Sequence, residues 1–253
     1  MISPVLVVIP YLASAAQGRE LEYAISGWTR HFKCPHKIVI VGEGLHAVPE
    51  WIRSHEDVSL VESPRVKAIP GQYRQHLDYV SCLRKVRELF PQEEGFIMVA
   101  DDCYAVNDFD LADVMFFKML EPEFVCDPET PNQWRQDKLK TKRALQEDGA
   151  PVRNFTTHLP QWYEWNNWEA IVTKYGMDKE SYVIEDLYYN TYFAGRIPFR
   201  LDKERDNLKY GVYTTHPPLE ELRMAFTNKI WITNSPDGWQ PALEHLLMDH
   251  FGL

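Results

Sequence analysis

The sequence predicts an α/β fold: a Rossmann-like sheet of mainly parallel strands with helices on both faces, followed by a helical C-terminal portion. Three observations carry this. Short, nearly continuous apolar runs recur at Val5–Ile9, Lys37–Val41 and Phe96–Ala100, the length and composition of strands buried on both faces. Segments of helical period stand between them. The third run ends in Asp101-Asp102. A carboxylate pair is costly inside an apolar sheet, so that strand should emerge there into a crevice, where open α/β sheets collect their ligands.

Taken in order, Val5–Ile9 is the first strand, followed by a loop over 10–18. Leu21, Ile25, Trp28 and Phe32 fall on one helical face, which predicts an amphipathic helix from Arg19 to Phe32. Lys37–Val41 is the second strand, closed by Gly42 and Gly44, and Val58–Val61 is a weaker third. Tyr73, Leu77, Val80, Leu83 and Phe90 mark a long helix that Pro91 closes. Phe96–Ala100 is the next strand, expected at the centre of the sheet. This alternation argues for right-handed crossovers.

Beyond Asp113 the pattern changes. Val114–Leu120 fits either a strand or a helix. Thr130-Pro131 is a helix N-cap followed by proline at the first helical position. The helix it opens carries Arg135, Lys138, Lys140, Lys142 and Arg143 and stops near Gly149. That basic run is either a solvated face or a lid over phosphate or another anionic partner. No linker or low-complexity run divides the chain, which predicts one domain over 1–253.

Composition narrows the function. A net charge of −10 argues against a nucleic-acid partner. The four cysteines, Cys34, Cys82, Cys103 and Cys126, form no CxxC pair, against both a zinc site and a disulfide framework. No stretch is long enough to be a transmembrane segment, and the N-terminal apolar run is too short for the core of a signal peptide and has no basic stretch before it. A cytoplasmic protein is the expectation.

The chemistry-bearing residues then form an ordered set. Arg19-Glu20-Leu21-Glu22-Tyr23 opens the first helix, and Pro49-Glu50-Trp51-Ile52 follows the second strand. Next come Asp101-Asp102, His158-Leu159-Pro160, Glu185-Asp186 and Asn234-Ser235-Pro236-Asp237. This order resembles the GT-A-type glycosyltransferases. Within them it is similar to the Stealth group, the sugar-phosphate transferases of capsular polysaccharide biosynthesis. Ala100 stands where that group has an asparagine, and its C-terminal Asn-Asp is split here into Asn234 and Asp237.

The resemblance implies transfer from a nucleotide-sugar donor to a glycan acceptor, with residues 1–113 as the nucleotide-binding half and 114–253 as the acceptor half with inserted helices. Alternatives are sugar 1-phosphate transfer and a non-catalytic binding or assembly protein of the same fold. It also assigns residues. Asp102 is the expected ligand of a Mn or Mg cation, whose preference for hard oxygen suits a carboxylate, and Asp101 holds the loop or the ribose. Arg19 binds phosphate or else pairs with Glu22. His158 is a general base or a structural histidine. Glu185 and Asp186 supply a base or cap a helix. Trp162 belongs to an aromatic cluster that stacks sugar rings or packs in the core. Asn234 and Asp237 complete the substrate contacts.

Overall fold

The computed structural model describes residues 4–122, 132–210 and 216–253. Thr130, Pro131 and Cys126, and the side chain of Asp237, lie outside the described residues.

The chain begins β1 (Val5–Leu12), α1 (Glu20–His31), β2 (His36–Glu43), α2 (Glu50–Arg53), β3 (Val58–Glu62), α3 (Arg74–Leu89) and β4 (Gly95–Met98). β5 (Cys103–Ala105), α4 (Leu111–Met115) and β6 (Lys118–Met119) follow. The span Val114–Leu120 is therefore the end of one short helix and one short strand. After α5 (Gln133–Glu147) come β7 (Gln161–Glu164), α6 (Trp165–Tyr175), α7 (Ile184–Tyr192), β8 (Phe199–Arg200) and β9 (Asn207–Tyr210). The chain closes with α8 (Leu219–Asn228), β10 (Trp231–Asn234) and α9 (Pro241–Phe251). Among the described residues no helix is long and apolar enough to cross a membrane.

The main sheet runs β3-β2-β1-β4-β7, parallel except for β7, which pairs antiparallel with β4. β1 therefore holds the middle. β4 lies between β1 and β7, one place off the centre expected for Phe96–Ala100. It has two neighbours because an antiparallel strand from the second half of the chain covers its far edge.

The strand period of two explains why these runs are apolar throughout. Leu6 and Val8 of β1, Val39 and Val41 of β2, and Phe96 and Met98 of β4 enter one core, under α3, α6 and α7. Val7 and Ile9, Ile38 and Ile40, and Ile97 enter the other, under α1. Both faces are buried, so neither set can be polar. Trp165 and Trp168 are fully buried in the first core, the packing alternative for the aromatic cluster.

β4 does not continue into β5. The chain turns at Asp101-Asp102 and β5 enters a second sheet, β5-β10-β9, packed against α1, α8 and α9. The carboxylate pair thus occupies the junction of two sheets. The carbonyl of Asp102 accepts the amide of Asn234, at 3.2 Å, which ties the junction to the end of β10.

Candidate functional site

β1 leads leftward to β2 and β3, whereas β3 returns across β1 to reach β4. The strand order therefore reverses between β1 and β4, and a crevice opens at their carboxyl ends. A cavity of about 470 Å³ lies there. Tyr11 and Gln17 come from the segment after β1, Gly42 and Arg65 from the ends of β2 and β3, Tyr79 from α3, and Asp101 and Asp102 from the junction. Gly42 sits at φ +156°, and a Cβ there would lie 1.8 Å from the carbonyl oxygen of Tyr11, so only glycine fits this wall. On the α3 side Asp78 accepts from Arg65 Nε at 2.9 Å and from the amide of Val66 at 2.8 Å. That pairing fixes the loop after β3.

Glu20, at the start of α1, adds a third carboxylate to the cavity. It accepts from the amide of Gln17 and from Asn234 Nδ2, each at 2.8 Å. Tyr104 donates its hydroxyl to Asn234 Oδ1. Asn234 is thereby a buried bracket between the C-terminal strand and α1 rather than a cavity-lining group.

Crowding of these acids sets their protonation. Desolvation, then Glu20, pushes Asp102 up to about 7. Desolvation, then Asp102 and Glu20, pushes Asp101 well above the usual carboxylate range. Burial raises Glu20 as well, against its two hydrogen bonds. The sign of the consequence is fixed. Between about pH 4 and pH 7 the folded protein keeps an Asp102 proton that the unfolded chain has released. Stability from this group therefore falls as pH rises through that window and levels off above it. The melting temperature of the ligand-free chain is expected to fall between pH 5 and pH 7.5, and Asp102→Asn is expected to flatten part of that slope. A parallel slope in the variant would show that Asp102 does not titrate there.

Among the described residues no three His, Cys, Asp or Glu side chains are grouped to hold a metal ion by themselves. Two adjacent hard carboxylates that repel one another and keep solvent contact nevertheless suit a cation that takes its remaining ligands from diphosphate and water.

A second cavity, of about 1,100 Å³, is lined by Trp134, Lys138, Thr157, His158, Asn207 and Lys209, among others. In the register of the small sheet Lys209 stands opposite Thr233, and Thr233 opposite Cys103, next to Asp102. Lys209 acts electrostatically on both Asp102 and His158. His158 holds a left-handed backbone at φ +58°, strained for a residue with a Cβ. Crowding by protein, then Lys209 and Lys138, holds its imidazole down at about 3, so the ring is neutral at physiological pH.

The structure separates the paired acids of α7. Asp186 is buried; it accepts from the amide of Phe155 at 2.6 Å and lies 3.8 Å from Lys138 Nζ. Glu185 is half-buried and shares a neighbour with the first cavity: the phenol of Tyr79, raised first by burial, is raised further by Glu185, Asp102 and Asp101. Glu185 makes no hydrogen bond or ion pair with other described residues.

Arg19 lines neither cavity. Its guanidinium forms a two-pronged pair with Glu22, at 2.8 and 2.9 Å, and lies over the Tyr23 ring. Trp162 packs on β4, with its ring over Gly95, and lines neither cavity. His158 is in the second cavity, not on the wall facing Asp101 in the first. The basic helix is neither simply solvated nor simply a lid, because Lys138 is buried and donates to Asn154 and Thr156. Glu20 and Tyr79 line the first cavity and Lys209 the second; Glu20 stood in the first-helix motif without an assigned role, and Tyr79 and Lys209 belong to no motif. Glu20 had one signal, a carboxylate in the first turn of a helix that follows β1.

No protein-family profile and no curated protein matches the chain. Among solved structures it is similar to a glycosyltransferase involved in the glycosylation of the major capsid of PBCV-1, at 13% identity and a TM-score of 0.43 over 99% of each chain.

Proposed function

We propose that the chain transfers a sugar from a nucleotide-sugar donor to a hydroxyl of a glycan or other acceptor, in the manner of GT-A-type enzymes of polysaccharide biosynthesis. On this reading 1–113 is the donor half and 114–253 the acceptor half of one domain. The observation that supports it is the carboxylate pair at the switch-point cavity, whose lining also includes three tyrosines. Tyr11, Tyr73 and Tyr79 suit a base and ribose, and Asp101 suits the ribose hydroxyls. Asp102 would hold Mn²⁺ or Mg²⁺, which when bound neutralises the leaving diphosphate as a Lewis acid. The acceptor oxygen bonds to the anomeric carbon as the bond from that carbon to the diphosphate breaks.

Glu185 is the base we assign for the acceptor proton; it lines neither cavity and meets the carboxylate junction through Tyr79. Glu185 and the two aspartates share Tyr79 as an electrostatic neighbour, whereas protonating His158 would add a positive charge to a ring already acted on by Lys209 and Lys138. Asp186 positions through Phe155 and Lys138. Arg19 is the phosphate residue of the Stealth resemblance. Its commitment to Glu22 favours transfer of the sugar over sugar 1-phosphate.

Calorimetric titration of UDP with and without Mn²⁺, on the wild type and Asp102→Asn, tests the reading. Mn²⁺ is expected to tighten UDP binding to the wild type. The variant should lose roughly 10- to 100-fold of that affinity, the worth of a lost charged contact. Equal affinities in all four titrations would leave a non-catalytic binding protein.

A further inference from the structure

We propose that the second cavity is the acceptor site and selects a sugar that carries an anionic group, phosphate or carboxylate, with Lys209 reading the charge. The word acceptor rests on the transferase reading; the anion preference does not.

The cavity is rich in cations, with Arg135, Lys203 and Lys229 in its lining besides Lys138 and Lys209. The carboxylates among its described lining, Glu121, Glu204 and Glu221, are all exposed. Lys138 is buried and Lys209 half-buried, and both act electrostatically on His158. Lys138 is already engaged by Asn154, Thr156 and Asp186. The ammonium of Lys209 makes no hydrogen bond or ion pair with another described residue, although Asp102 acts on it electrostatically. A partly desolvated ammonium without such a partner gains most from an anion brought by a ligand.

The remaining lining suits hydroxyls. Asn207, Thr157 and the neutral ring of His158 offer donors and acceptors, and His158 keeps its strained backbone there. Trp134 lines the same cavity, with the Lys138 ammonium 4.8 Å from its ring centroid. Lys209 is two strands from Cys103, about 10 Å at the usual strand spacing. A monosaccharide whose anion meets Lys209 therefore reaches toward the carboxylate junction with its opposite edge.

The test titrates the whole chain with glucose, glucuronate, glucose 6-phosphate and inorganic phosphate, by saturation-transfer NMR and calorimetry at low and high salt. One or both anionic sugars are expected to bind roughly tenfold or more tightly than glucose, the worth of one charged hydrogen bond. Which one does so names the group. The preference should fall with salt, vanish in Lys209→Met and return in Lys209→Arg. Equal binding of glucose and both anionic sugars, or a preference that survives Lys209→Met, overturns the proposal. So does inorganic phosphate binding as tightly as the sugar phosphate. If Lys209→Met does not fold, Lys209→Gln and the wild-type salt dependence decide. UDP is titrated separately. UDP binding without an anion preference sinks this proposal and leaves the transferase reading; an anion preference without UDP binding does the reverse.

Discussion

Glu185→Gln is expected to lower the turnover of sugar transfer by roughly 10²- to 10⁴-fold, the usual contribution of a positioned general base. The amide keeps the size of the side chain and removes only its capacity to take a proton. Glu185 makes no hydrogen bond or ion pair with other described residues, so folding should barely register the change. UDP affinity should also be kept, because Glu185 meets the donor cavity through the shared neighbour Tyr79 and does not line it. The measurement is UDP release from a panel of UDP-sugars, with the melting temperature and UDP affinity taken on the same samples. A variant that binds UDP normally and turns over at the wild-type rate would remove Glu185 from the mechanism and return the role to His158.

Its neighbour should behave in the opposite way. Asp186→Ala is expected to cost about 3–5 kcal/mol of stability, the range for breaking a buried ion pair. It takes a carboxylate from beside the Lys138 ammonium and leaves the amide of Phe155 without its 2.6 Å acceptor. Burial pushes this carboxyl up to about 6 against the pull of Lys138, so it is still ionised at pH 7.5. Asp186→Asn keeps an acceptor for Phe155 and loses only the charge, so its cost should be smaller. Urea denaturation of both variants separates the terms. If Asn and Ala cost the same, the charge carries the effect; if Asn is free, the hydrogen bond does.

The contrast shows which parts of the site a sequence can display. Glu185 and Asp186 are adjacent in α7, and helical geometry turns adjacent residues about 100° apart, so one faces the core and the other does not. Nothing in the pair says which. The strands were legible because each buries both faces and must be apolar at every position. Asp101-Asp102 was legible for the complementary reason, since charge cannot follow such a run unless the chain leaves the sheet. Arg19 was not, because its choice between a phosphate and Glu22 depends on a side chain three residues away that is equally well placed in any helix. Lys138 and Lys209 were hidden by distance. One acquires its burial from Asn154, Thr156 and Asp186, the other from strand pairing with β10, and both are tertiary facts.

The junction after β4 has a consequence for how the protein is made. Among the described residues that line the first cavity, all but Pro236 are within the first 102 positions. Yet the turn that aims the two aspartates is held by β5 pairing with β10, and Glu20 is held by Asn234. As the chain emerges during synthesis, the pocket's walls come first and its bracing more than a hundred residues later. A nascent chain shorter than about 234 residues carries nearly every group that would touch a nucleotide but lacks the strand that sets their angle. Competence to bind should therefore arrive abruptly, once β10 has emerged, rather than grow with length.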